Sequence, residues 1–357
     1  MSNEDIFNGN WVAWMKSQAG LETDIVISSR IRLARNLQGM PFPFLMNAET
    51  GNKSMQAITE AWQNSENDAL SSMDMITFDQ VPALDRHILV EKHLISPEHG
   101  LSEDPYRGLL LSKDGSIAIM INEEDHLRIQ VLLPGLQMEQ CYELAQTMDD
   151  ELEKRLNFAF DEQRGYLTSC PTNVGTGMRA SVMLHLPAIA ISGQRNRIFQ
   201  NINQLGMTVR GLYGEGTDII GNYVQLSNQI TLGQTENEII TNLGIISRQI
   251  VEQETILRRS LQEEMRYQLE DRVGRAYGIL TNARVMNSNE ALTLLSDVRL
   301  GVDLGIIEGI SPQLINQLVV AIKPAHLQKR AGGEMEAFMR DVKRAEVIKE
   351  ILLKSSR

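Results

Sequence analysis

The sequence is short of the residues that mark several protein classes. Two cysteines in 357 residues, Cys141 and Cys170, cannot build a disulfide framework, and four-cysteine zinc spacing is absent. Basic residues are outnumbered, 34 Lys+Arg against 46 Asp+Glu, for a net charge of -12. That argues against direct nucleic-acid or anionic-membrane binding, whose footprint is basic. Long apolar runs are missing too. Ile117–Ile121 and Leu318–Ile322 fall far short of the ~20 residues a membrane span needs. The start, Met1-Ser-Asn-Glu-Asp5, has no basic region followed by an apolar core, so a cytoplasmic protein without a signal peptide is expected. What is present is an ordinary globular balance, 42% apolar and 22% charged. At roughly 150 residues per domain the length suggests about two domains.

Up to about residue 235 the pattern is mixed. Residues 24–36 carry β-branched residues in loose alternation and predict a strand. Leu109–Leu133 reads as a hairpin about Asp114-Gly115, with a primed turn. Gln137–Phe160 has helical spacing, and strands are expected at Gly165–Cys170, Met178–His185, Met207–Tyr213 and Tyr223–Thr231. Strict βαβ alternation is absent, which favours an α+β, largely antiparallel sheet flanked by helices. After Gly233 the texture becomes helical. Thr235-x-x-Glu238 is a capping box, with helical spacing to about residue 275. Asn287-x-x-Glu290 and Ser311-Pro312 open further helices, and a last one is expected over Glu334–Leu353. The chain is thus expected to divide into an α+β domain, 1–255, and an all-helical C-terminal domain, 256–357.

Arginine placement stands out against the acidic background. Ile25–Ala48 holds Arg30, Arg32 and Arg35 and no acid. Gln163–Gly214 holds Arg164, Arg179, Arg195, Arg197 and Arg210, with neither lysine nor acid. Arginine's rigid fork of donors suits phosphate oxygens, and residues two apart on a strand share a face, as Arg30 and Arg32 do. Tight polar turns lie beside these arginines: Cys170-Pro-Thr-Asn-Val-Gly-Thr-Gly-Met-Arg179 and Arg210-Gly-Leu-Tyr-Gly-Glu215. Gly175-x-Gly-x-x-Ala180 imitates a dinucleotide fingerprint, but no acid follows before Glu215 to hold a ribose. Walker and protein-kinase signatures are absent. Asn122-Glu-Glu-Asp-His-Leu-Arg128 crowds three acids at the end of an apolar strand. Read as a strand, it sets Glu124, His126 and Arg128 on one face. A carboxylate for a cationic substrate beside an arginine for phosphate is the functional reading; a solvated loop is the plainer one.

Together CPTNVGTGMRAS, NEEDHLR and RGLYGEG resemble the phosphagen (guanidino) kinase family, over about residues 24 to 245. The resemblance implies an ATP site made of Ser28, Ser29, Arg30, Ile31 and Arg32, of His93 and Arg128, and of Arg179, Ala180, Ser181, Val182 and Met183. Arg210, Gly211, Leu212, Tyr213, Gly214 and Glu215 complete it. It implies that Glu124 and Glu215 hold the guanidinium and that Cys170 borders it, with ATP and Mg²⁺ as cofactors and no residue assigned as a metal ligand. Met183 stands where the family usually has histidine, and Ser227-Asn-Gln-Ile-Thr231 lacks two of that family's basic residues. About 23 residues precede Asp24, where the family has a helical domain; the extra helices follow the catalytic region instead. That order is similar to bacterial protein-arginine kinases. Arg340, Asp341, Arg344 and Ala345 resemble their RDxxRA phosphoarginine-binding motif. The implied activity is phosphorylation of exposed arginines in proteins. The implied partners are a stress-gene repressor, a small zinc-containing activator and the Clp unfoldase–protease, with a homodimer or higher oligomer expected. The alternatives are a kinase for free arginine or another small guanidino compound, and a phosphoarginine-binding adaptor with weak catalysis.

Overall fold

The computed structural model describes residues 6–7, 11–16, 22–212 and 219–355. Among them, ten strands are Val26–Arg35 (β1), Asp74–Thr77 (β2), Gly108–Leu111 (β3), Ile117–Ile121 (β4), Leu127–Pro134 (β5), Phe160–Asp161 (β6), Gly165–Tyr166 (β7), Met178–His185 (β8), Met207–Arg210 (β9) and Tyr223–Asn228 (β10). Eight form one antiparallel sheet in the order β2-β3-β4-β5-β1-β8-β10-β9; β6 and β7 pair separately. No helix among the described residues is long and apolar enough to cross a membrane.

The sheet lies between two cores. On its back face Ile31, Leu33, Ile129, Val131, Ala180, Val182 and Leu226 pack against helices Met138–Glu153 and Glu236–Glu264. Part of its front face, including Ile27, Leu132, Met183 and Tyr223, shares a core with Leu295, Val298, Ile315, Leu318 and Val319 of the C-terminal helices. Sequence caps account for several helix starts. Thr235 accepts from the Glu238 amide at 3.3 Å while the Glu238 carboxylate takes the Thr235 amide at 2.8 Å. Asn287 and Ser311 cap Ser288–Asp303 and Pro312–Ala321 by the one-way bond alone, accepting the amides of Glu290 and Leu314.

Several expected boundaries are corrected. Leu109–Leu133 is not one hairpin but three strands, because residues 122–126 form a second turn. At the first turn Gly115 alone has positive φ, so the primed two-residue turn is replaced by a loop closed by Ser112 and Ile117. The helix expected to Phe160 stops at Glu153. Asn157 and Ala159 instead make backbone bonds with Gln38 and Asn36. Gly165–Cys170 and Met207–Tyr213 shorten to β7 and β9. The long C-terminal helix breaks at Met265, and its continuation Arg266–Asn282 turns Leu269 and Val273 onto Leu261, Ala188 and Leu300. The last helix is Ala337–Ser355.

Candidate active site

Strand register decides which side chains meet. Arg32 on β1 stands opposite Arg179 on β8 and Gln130 on β5; Arg30 stands opposite Ser181 and Leu132. Ala34, two residues on from Arg32, is opposite Arg128, and Gln225 on β10 is opposite both Met183 and Arg210. Paired residues share a face of the pleat, so five arginines drawn from four strands project from the front. All five line one cleft of about 540 Å³, with Glu123, Glu124, Cys170 and His93.

The cleft floor is strongly cationic. Burial, and then the neighbouring Arg128 and Arg179, lower Arg30 to about 10. Arg32 is pushed well down by burial and by Arg30. Arg30 donates to Ser181 Oγ at 3.2 Å and to Gln225 Oε1 at 2.9 Å. Arg32 Nε is buried without a partner. Buried guanidinium donors of this kind are the groups that pair with phosphate oxygens.

The turn Asn122–His126 is built by its own motif. Asn122 adopts positive φ (55°), and its amide is tied to Ser54, Gly51 and Tyr106. Asp125 accepts from Asn36 Nδ2 and from the Ser169 amide; Ser169 Oγ donates to the Glu124 carbonyl. These bonds bring Cys170 beside Glu124. The expected strand face of Glu124, His126 and Arg128 is therefore corrected: His126 is buried against Asn36, and burial lowers it to about 4. Glu123, not singled out by sequence, takes both its oxygens to Arg128 Nη1 at 2.8 and 2.7 Å. Burial opposes its charge, but Arg128 and Ser96 hold it at about 2. Glu124 meets Arg128 Nη2 at 3.1 Å and keeps 41% of its side chain exposed. Partial burial raises its carboxyl above the ordinary range. Arg128 thus neutralises both acids while standing in the arginine cluster.

The glycines of the Cys170–Arg179 segment act by close packing. At Gly177, φ +63°, a Cβ would fall 2.7 Å from the Ala34 carbonyl; at Gly175 it would fall 2.7 Å from that of Thr231. Gly177 thus seats the loop against the end of β1, and Gly175 seats it against the chain that follows β10.

An apolar slot adjoins the cleft near Ser28, lined by Leu132, Met183, Leu212 and Tyr223 and shared with Arg30 and His93. His93 is brought down to about 3 by burial, Arg30 and Lys323. Met183 lines this slot with its thioether side chain. Ser29, Ile31, Ala180 and Val182 belong to the other face, with Ser29 Oγ donating to the Gly135 carbonyl, so their side chains do not reach the cleft. Gly211 follows Arg210 at the end of β9, while Tyr213, Gly214 and Glu215 lie outside the described residues. Arg35 is buried on Asp149 at 2.6 Å, and Arg164, Arg195 and Arg197 are exposed elsewhere. In the last helix Arg340 is half-buried and donates to the Met335 carbonyl at 2.9 Å. Arg344 points inward, to Asp341 and the carbonyls of Ile322 and Met286, and Ala345 is buried. Sequence gave no warning of Gln130, Gln225 or Asn316, which carry no charge pattern.

Comparison with known proteins adds independent findings. Residues 53–257 match the ATP:guanido phosphotransferase C-terminal catalytic domain, and residues 266–357 match the protein-arginine kinase McsB C-terminal domain. A protein-arginine kinase of Syntrophomonas wolfei is 65% identical over 352 residues, covering 99% of this chain and 98% of the relative. Another from Desulforamulus reducens is 50% identical over 353 residues, with the same shares. Among solved structures, lombricine kinase superposes with a TM-score of 0.59 at 21% identity, covering 71% of this chain and 73% of that one. The duplicated taurocyamine kinase of Schistosoma mansoni gives 0.58 at 29% identity, over 70% of this chain and 35% of that one.

Proposed function

Because the chain belongs to the guanidino phosphotransferases, in their protein-arginine kinase branch, we propose that this cleft transfers the γ-phosphoryl group of ATP to arginine side chains of proteins. The observation that carries the reading is the change of character along β1. An apolar slot lies near Ser28, unneutralised arginines follow at Arg30 and Arg32, and a half-exposed carboxylate stands at the mouth. Each two-residue step advances about 6.6 Å, so base, phosphates and acceptor are laid out in that order.

A guanidinium has a pKa above 12 and no free lone pair at neutral pH. Glu124 orients it and, with Glu215 proposed from the motif alone, takes its proton as the N–P bond forms and the bond to the ADP oxygen breaks. Arginines 30, 32, 128, 179 and 210 hold the phosphates and stabilise the charge on the transferring group. Cys170, beside Glu124, borders the guanidinium without forming a covalent intermediate. Among the described residues no cluster of three His, Cys, Asp or Glu could hold a metal. Mg²⁺, if bound with ATP, would offset the charge of the phosphates beside these arginines.

The family likeness further supports a cytoplasmic homo-oligomer. Its proposed partners are a stress-gene repressor, a zinc-containing activator and the Clp unfoldase–protease. Arg340 to Ala345 is the proposed phosphoarginine-binding segment, with Arg340 and Asp341 its reachable part and Arg344 its buried brace. The substrate reading is tested with ATP and Mg²⁺ against a folded protein and free arginine side by side. Acid-labile phosphate located on protein arginine by mass spectrometry is the expected result. A clear preference for free arginine would overturn it.

A further inference from the structure

The slot at the base end of the cleft has a wall that the sheet does not supply. Opposite Met183 and Tyr223 stand Asn316 and Val319, three residues apart on helix Pro312–Ala321 and so on one face of it. That helix belongs to the C-terminal region, beyond the segment matched by the guanido phosphotransferase domain.

Asn316 is buried, and its neighbours fix its amide. Oδ1 accepts from Arg299 Nη1 at 2.7 Å. Arg299, itself fully buried, is held by Asp303 and by the carbonyls of Thr23 and Pro312. A guanidinium has donors only, so the reverse orientation would set donor against donor. Nδ2 is then left as the amide's donor, on a residue that lines the slot. We propose that Asn316 Nδ2 donates a hydrogen bond to a ring nitrogen of the ATP base, so that the C-terminal helices complete the nucleotide site. Adenine offers three such acceptors, N1, N3 and N7, none carrying a hydrogen. The slot as it stands holds about 20 Å³, room for about one water. A base therefore enters as side chains part, and unbranched Met183 is the adaptable one.

The inference rests on the cleft being the ATP site, and the experiment separates the two. ATP and its 1-, 3- and 7-deaza analogues are titrated calorimetrically into the full-length wild type and into Asn316→Ala, Asn316→Asp and Arg30→Ala. Asn316→Asp keeps the acceptor that Arg299 needs, so loss of the fold is not mistaken for loss of the contact. Both Asn316 variants should bind ATP about 3- to 10-fold more weakly, the worth of one net hydrogen bond. One deaza analogue should show a similar loss in the wild type and no further loss in Asn316→Ala. If both Asn316 variants bind ATP as the wild type does while Arg30→Ala does not, the contact is overturned and the ATP site stands. The contact is equally overturned if no analogue shows the coupled loss. If Arg30→Ala also binds normally, the site reading itself falls.

Discussion

Glu123 and Glu124 are adjacent, identical in type and opposite in fate. Glu123 is sealed in, 4% exposed, and spends its charge on Arg128; Glu124 keeps 41% of its side chain in solvent at the mouth. Only the second is available to a guanidinium arriving from outside, and its contact with Arg128 is a single exposed one, easily exchanged. A positioned base contributes about 10²–10⁴ in rate. Glu124→Gln should therefore lose turnover by about that factor while ATP titrates normally. A variant turning over within twofold of the wild type would remove Glu124 from the mechanism. Spacing in the sequence pointed to Glu124 only through the family likeness. The positive φ of Asn122, which bends the chain and sends the two glutamates to different environments, leaves no trace in alternation.

At the level of elements, the arginine cluster was legible and its geometry was not. An acid-free stretch announces phosphate chemistry, but only antiparallel register across β9, β10, β8, β1 and β5 puts Arg210, Arg179, Arg30, Arg32 and Arg128 on one face. The NEEDHLR segment fits a strand or a solvated loop by residue type alone; side-chain bonds to Asn36, Ser54 and Ser169 make it a tied-down turn. Glu123 is the charged pin of that turn. Its folded carboxyl lies at about 2 against an ordinary 4.5, so the stability it contributes is complete above 4.5 and is lost as pH falls toward 2. The lowering corresponds to about 3 kcal/mol. Glu123→Gln should be destabilised at pH 7 and should lack this part of the acid dependence. Urea unfolding at pH 7, 4.5 and 3 measures it; parallel pH profiles for variant and wild type would show that the turn does not depend on this charge.

Over the whole molecule, the change of texture after Gly233 marked where the helices begin, but not that they fold back onto the front face of the sheet. The apolar pattern of a helix tells which side is buried, never against what. A buried ionic network fastens this return. Arg258 meets Glu254 at 2.9 Å and Asp303 at 3.3 Å, and Glu254 accepts the amides of Ala188 and Ile189. Arg299 joins Asp303 at 2.8 Å to the Thr23 carbonyl at 2.7 Å, just before β1. Such pairs add little compared with apolar replacements, but breaking one leaves a buried charge uncompensated, at about 3–5 kcal/mol. Arg299→Met should cost that much, because Asp303 would then rely on Arg258 and the bond from Arg299 to the Thr23 carbonyl would be lost. Since the front-face core runs without interruption from Ile27 and Leu132 to Leu318 and Val319, sheet and helices should also unfold together. Calorimetry of the wild type should show one transition, shifted down but still single in Arg299→Met. Two separate transitions in the wild type would mean that the helices are only lodged against the sheet and not part of its core.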